Sequence, residues 1–254
     1  MEKLEWTESL VPDDIALKIA SLLQIFDLCS LGSCSRFWRE LCASDSIWIS
    51  MFRERWPSLV FSTEPPVLNV DDRSSVAAGE QFSSTKGWRV FYINRHFEMA
   101  SRAATIAKFV KQCSPSESLE VGDYLRAIEF LCSVEMGVRD VQMFLFASKH
   151  NVLLNLIGLH YSIFTLGVPA EYVIEALWNC QISERQVCVR WWKLGRWIHG
   201  FRLRDESRTR IISLGDLAMA KKGEVFGVLH RGAIHEVLRV QISVPDRIQT
   251  PWTF

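Results

Sequence analysis

Three cysteines near the N-terminus, Cys29, Cys34 and Cys42, are close enough in sequence to raise thiolate chemistry, either as metal ligands or as a nucleophile. Their C-x4-C-x7-C spacing matches no ordinary zinc pattern, and no neighbouring histidine completes a tetrahedron. A nucleophilic thiol needs a base and a cationic setting, and no histidine lies near these residues in sequence. The six histidines, His96, His150, His160, His199, His230 and His235, form no HxxxH or HxH pair with ligand spacing and read as ordinary surface or core residues. No glycine-rich phosphate loop, GxSxG elbow or DxD pair is present. No catalytic residue, metal or cofactor is therefore expected.

One further stretch mixes residue types that bind. "RWWKLGRWIHGFRLR", residues 190 to 204, interleaves Arg190, Lys193, Arg196, Arg202 and Arg204 with Trp191, Trp192, Trp197 and Phe201. Such a mixture can stack bases and neutralise phosphate. It can also be a helix whose Trp191, Leu194 and Ile198 face a core while the basic groups are solvated. The helix is the first reading. Trp191, Trp192, Arg196 and Trp197 are then the candidate contacts for a protein substrate, with nucleic acid the least favoured ligand.

Composition supports that order. The 254 residues are 48% hydrophobic and 23% charged, with a formal net charge of zero, so the chain lacks the long-range positive field of a general nucleic-acid binder. Seven cysteines, an odd number without a C-x2-C pair, suggest reduced thiols rather than a disulfide framework. "MEKLEWTESL" is acidic and polar and does not read as a secretory signal, which places the protein in the cytoplasm or the nucleus. "VLLNLIGLHYSIFTLGV", residues 152 to 168, carries Asn155, His160, Ser162 and Thr165 and is too short to cross hydrocarbon, so it reads as a buried helix and no membrane partner is expected.

The elements that position these residues fall into three segments: residues 10–56 as a compact unit, 57–87 as a linker or long loop rich in Ser, Thr, Pro and acidic residues, and 88–254 as a C-terminal domain. In the first, Pro12, Asp13 and Asp14 open a helix on which Ile15, Ile19, Leu22 and Leu23 form one apolar stripe that needs a partner. Asp27 is expected to cap a second helix that Gly32 ends, and Ser35 a third carrying Trp38, Leu41 and Cys42. "DSIWISMFRERWP" forms another amphipathic stretch that stops at Pro57. A unit of about 45 residues buries only a modest core, so this excess of large apolar groups marks a partner interface.

Further on, "WRVFYINRHFEMASRAATIAKFVKQC" is helical until "CSPSES", a run of helices follows from Ser118 to about Gly200, and Pro169 opens a helix over Glu171 to Trp178. "GEVFGVLHRGAIHEVLRVQISV" reads as two apolar runs around a turn, a terminal β-hairpin. The expected fold is mainly α: an N-terminal three-helix unit plus a mostly helical C-terminal domain with a short terminal hairpin. No repeat recurs.

The order Val11-Pro12-Asp13-Asp14-Ile15, Ile19, Leu22-Leu23, Asp27-Leu28, Leu31, Cys34-Ser35-Arg36-Phe37-Trp38-Arg39-Glu40-Leu41 and Ile47-Trp48 resembles an F-box over residues 10 to about 50. Val11 stands where that family most often has leucine, and Ser35 where it usually has a basic residue. The resemblance implies docking on a Skp1-like adapter through Val11, Pro12, Ile15, Ile19, Leu22, Leu28, Leu31, Phe37, Trp38 and Trp48. It also implies an indirect link to a cullin, with the rest of the chain holding a protein substrate of unknown identity. The alternative is an F-box scaffold that acts without a cullin.

Overall fold

A computed structural model describes residues 11–57, 87–220, 223–233 and 236–245. The linker expected over 57–87 lies, from 58 to 86, outside the described residues. The chain divides into two compact units, 1–97 and 98–254. The division falls inside one long helix, so the first turns of what sequence placed in the C-terminal domain belong to the N-terminal unit.

That N-terminal unit begins with helices α1 (Asp13–Leu22), α2 (Ile25–Cys34), α3 (Arg36–Cys42) and α4 (Asp45–Arg55), followed by the start of α5 (Trp88–Cys113). Pro12 sits at the N-cap of α1 with two aspartates in the first turn, as the sequence implies. The second helix departs from expectation. Gln24, not Asp27, occupies its N-cap, and Gly32 lies within it rather than ending it, because its backbone continues in helical hydrogen bonding to Cys34. Gly32 has a packing reason instead: a Cβ there would come within 3.4 Å of the Cys42 Cβ. Ser35 does cap α3, its hydroxyl accepting from the Trp38 amide at 3.3 Å. Ser35→Ala is expected to cost about 1 kcal/mol of unfolding free energy in a denaturant titration, and an unchanged midpoint would show the cap to be idle.

The core of this unit is aromatic. Trp48 and Phe52 of α4 and Trp56 at its C-cap meet Trp88 and Tyr92 of α5, with Ile47 buried as well; Phe52 is 5.0 Å from Trp56 and Trp56 5.1 Å from Tyr92 between ring centroids. The Trp48 indole N–H donates to the Cys42 carbonyl at 2.8 Å, which fixes α3 against α4. Arg55 is buried and ordered by the same cluster. It donates to the Tyr92 hydroxyl at 2.7 Å and lies over the Trp56 ring at 4.6 Å. Asp45, at the start of α4, accepts from the Trp88 amide at 2.8 Å and so caps α5 from outside its own segment.

The second unit comprises the remainder of α5, then β1 (Ser118–Glu120), α6 (Val121–Val134), α7 (Val138–Phe144), α8 (Val152–His160), a π-helical turn (Tyr161–Thr165) and α9 (Ala170–Asn179). These precede β2 (Gln186–Lys193), β3 (Trp197–Ile198), β4 (Phe201–Arg202), β5 (Glu206–Ser213), α10 (Leu214–Met219), α11 (Glu224–Arg231) and β6 (Val237–Ser243). Every residue of α8 is buried, which explains its near-uniform apolarity. Its Asn155 is satisfied by donating to the Leu145 carbonyl at 2.6 Å and accepting from Arg185. No described helix is long and apolar enough to cross a membrane.

The mainly helical class with a small C-terminal sheet is what the sequence implies, but the hairpin is elsewhere. Strands pair in the antiparallel order β1-β6-β2-β5, and the hairpin is β2 with β5, in register from Gln186↔Ser213 to Lys193↔Glu206. The first arm of the expected terminal hairpin is α11, whose apolar Val225, Phe226, Val228 and Leu229 recur at helical spacing. Its second arm is a strand, β6, paired to β1 and β2. The helices expected from Ser118 to about Gly200 end with α9 at Asn179, and residues 190 to 204 are not a helix but the end of β2, the short β3 and β4 and the turns between them. Val187, Val189 and Trp191 alternate inward, a period of two that settles against α8.

Candidate functional site

Helix α1 has apolar residues on two faces, and only the smaller ones are used internally. Ala16 and Ala20, four apart, are fully buried, while Ile15, Ile19 and Leu22 are exposed by 53%, 43% and 79%. The reason is steric. Two alanines permit close approach of α1 to its neighbours, and the larger side chains at i, i+4 and i+7 then share the outer face. Phe26, 79% exposed at the beginning of α2, extends the same chemistry. It went unselected in the sequence, although it falls four residues beyond Leu22. Pro12 is exposed, and Val11, Leu31, Phe37 and Trp38 are half-buried, the last two in edge contact at 5.2 Å.

Two of the ten expected contact residues have no surface to offer. Leu28 and Trp48 are 1% and 2% exposed. Trp48 is consumed by the aromatic core and its bond to Cys42, and Leu28 is the buried side chain of α2, so both act by holding the unit together.

Beside them lies a pocket of about 250 Å³ lined by residues including Cys29, Cys42, Arg39 and Arg89. Burial, with Cys29 and Cys34 nearby, pushes the Cys42 thiol up against the opposing pull of Arg89. A raised thiol is a poor nucleophile at neutral pH. Among the described residues no group of three or more His, Cys, Asp or Glu could hold a metal ion.

A family model describing F-box-like domains matches residues 9–54. Residues 9–54 are an F-box-like domain. The match spans α1 to α4 up to the aromatic core, and it supports an adaptor role in general, the binding of a Skp1-like adapter by a module that is typically not catalytic. No curated protein and no solved structure matches the chain.

Of the four residues expected to touch a substrate, the second unit buries one and leaves the other three at least partly exposed. Trp191 is fully buried under the sheet, because the strand alternation turns it inward, and it is removed from the contact set. Trp192 points to the opposite face, half-buried, with the Arg239 guanidinium 5.1 Å over its ring. Arg196 and Trp197 lie on the small β3–β4 hairpin, where Trp197 and Phe201 are 71% and 78% exposed. His199 and Gly200 form its two-residue turn with φ of 49° and 84°, the geometry that favours glycine. That His-Gly pair, and the alternation of Val187, Val189 and Trp191, were the signals for strands.

Asp205 ties the hairpin base. One of its oxygens accepts from the Gly195 amide and from Arg202, both at 2.9 Å, and these bonds hold its carboxyl below the usual range. Gly195 cannot be replaced without cost, since a Cβ would sit 1.9 Å from the Leu203 carbonyl oxygen. Gly195→Ala should open the hairpin at a local cost of more than about 1 kcal/mol, read as faster protease cleavage between residues 195 and 205. Unchanged cleavage would count against this geometry.

Proposed function

We propose that the protein is the substrate-recognition subunit of a Skp1-cullin-F-box ubiquitin ligase, acting in the cytoplasm or the nucleus. One observation carries the reading: within the F-box-like domain, α1 packs internally through Ala16 and Ala20 and keeps Ile15, Ile19 and Leu22 outside. A contiguous exposed apolar stripe of this kind is uncommon on a soluble surface without a partner. Seated in an adapter groove, each of these side chains contributes about 2 kcal/mol.

In this function the chain performs no bond chemistry. It binds the adapter at one end and a protein substrate through its C-terminal unit, keeping a substrate lysine near a charged conjugating enzyme. The gain is effective concentration, with orientation added. The exposed Arg196 and Trp197 of the β3–β4 hairpin, with Trp192 nearby on β2, supply the substrate contacts.

The test is co-expression of the full chain with a Skp1-like adapter and a cullin, followed by purification through a tag on the chain. All three components eluting together, with ubiquitin transfer to a captured protein, is the expected result. Elution of the chain with adapter but no cullin would favour a scaffold instead, and elution without the adapter would overturn the assignment.

A further inference from the structure

Strand β5 is the last in the sheet order, so one of its backbone edges pairs β2 over eight residues and no described strand pairs with the other. Residues 206 to 211 are exposed without interruption. An open edge offers a row of N–H and C=O groups to any further strand, and proteins usually guard it with charged side chains, proline or a bulge. "ESRTRIIS" carries the charged Glu206, Arg208 and Arg210 but neither lysine nor proline, and its pairing to β2 runs without a register shift, so the edge is selective by charge rather than closed.

Charge decides what would fit there. Residues 190 to 210 contain seven basic and two acidic side chains in a chain whose formal net charge is zero. Lys193, Arg196, Arg202 and Arg208 find carboxylates on Glu224, Glu236, Asp205 and Glu224 respectively. Arg204 and Arg210 form no ion pair among the described residues, and Arg190 bonds only the Thr209 hydroxyl. Glu206, Arg208 and Arg210 share one face of β5, the same sheet face as their register partners Lys193, Trp191 and Val189, and Glu206 lies beside Arg208, so Arg210 is the basic group left without a carboxylate there. An added strand with a carboxylate at every second residue would carry its charges on that face.

We infer that the free edge of β5 binds an extended acidic peptide segment by strand addition, the peptide backbone pairing with residues 206–211 and its carboxylates meeting Arg204 and Arg210. This rests on reading the C-terminal unit as the substrate-holding part, and it names the class of substrate: a protein presenting an acidic segment in extended form. Backbone pairing supplies affinity, and the unpaired guanidiniums supply selection by charge.

The probe is a fluorescein-labelled peptide of about ten alternating valine and glutamate residues, titrated by polarisation with the purified full chain. Saturable binding is expected, and the lysine-for-glutamate peptide should not bind. Arg204→Glu with Arg210→Glu should weaken binding about tenfold or more, and N-methylation of alternate peptide amides should abolish it. Equal binding of the two peptides, no binding, or insensitivity to N-methylation overturns the inference, as does tighter binding of a thymidine oligonucleotide of equal charge. Adapter co-purification separates the two readings: the double variant keeps its adapter, whereas failure of the F-box assignment would remove the adapter and leave peptide binding intact.

Discussion

Replacing both Ile19 and Leu22 by glutamate should reduce affinity for a Skp1-like adapter by more than about 100-fold, abolishing co-purification. Each side chain withdraws about 1.5 to 2 kcal/mol of apolar burial, and a carboxylate forced into a desolvated groove adds a further penalty. Together these exceed the roughly 3 kcal/mol that a 100-fold loss represents. Folding should be spared, because the two positions are exposed and the α1 core contact is made by Ala16 and Ala20. Surface changes of this type are usually within about 0.5 kcal/mol. The control is Ala20→Leu, which overpacks the internal face and should lower the unfolding midpoint. A wild-type yield of adapter from the Ile19→Glu, Leu22→Glu chain would remove α1 from the interface.

The second large effect is on stability as the pH falls. His160 ends α8 fully enclosed, its Nδ1 2.8 Å from the Tyr124 hydroxyl and its Nε2 3.1 Å from His230 Nδ1, with Phe164 and Phe226 against its ring. Burial, with a smaller contribution from His230, lowers its pKa to about 3. Tyr124 is fully buried and pushed well up, so its hydroxyl stays protonated and a neutral imidazole can bond both neighbours. Between pH 6.5 and 3 the unfolded chain takes a proton that the folded chain refuses. Stability is therefore complete above 6.5 and declines as pH falls. At pH 5 the loss from this residue is about 2 kcal/mol, and the lowered pKa of His150 acts in the same direction. Denaturant midpoints measured between pH 8 and 5 should show the decline, and His160→Leu, though less stable throughout, should flatten it. A slope unaffected by His160→Leu would show that the imidazole is not the titrating group.

His160 also shows what sequence could not supply. It and His230 are 70 residues apart and share no ligand spacing, so nothing in the chain couples them until α8 and α11 pack together. The F-box-like domain was legible for the opposite reason. Its residues are local, and Pro12, the paired aspartates and the Ser35 cap each act within one turn. What the pattern did not carry was direction. An apolar helix position reads the same whether it faces a core or a partner, so Leu28 and Trp48 were grouped with Ile15 and Ile19 although the structure sends them to opposite sides.

The tryptophan-rich stretch failed for a different reason. Trp191, Leu194 and Ile198 satisfy a helical period, while Val187, Val189 and Trp191 satisfy a period of two, and a short apolar run does not choose between them. Pairing chose, because β2 is flanked by β5 and β6 on either side and its backbone groups are satisfied by neighbours remote in sequence. The amino-acid sequence alone thus determined the helical F-box-like segment, the buried character of the stretch 152 to 168 as far as Ile163, with 164 to 168 emerging towards solvent, and the concentration of basic and aromatic groups after residue 190. The tertiary structure alone decided which apolar residues remain outside on α1, that the basic stretch is a strand and hairpin beside an open edge, and that two distant histidines meet. Those outcomes depend on non-local contacts, whose geometry is set by how whole elements pack rather than by any residue's own preference.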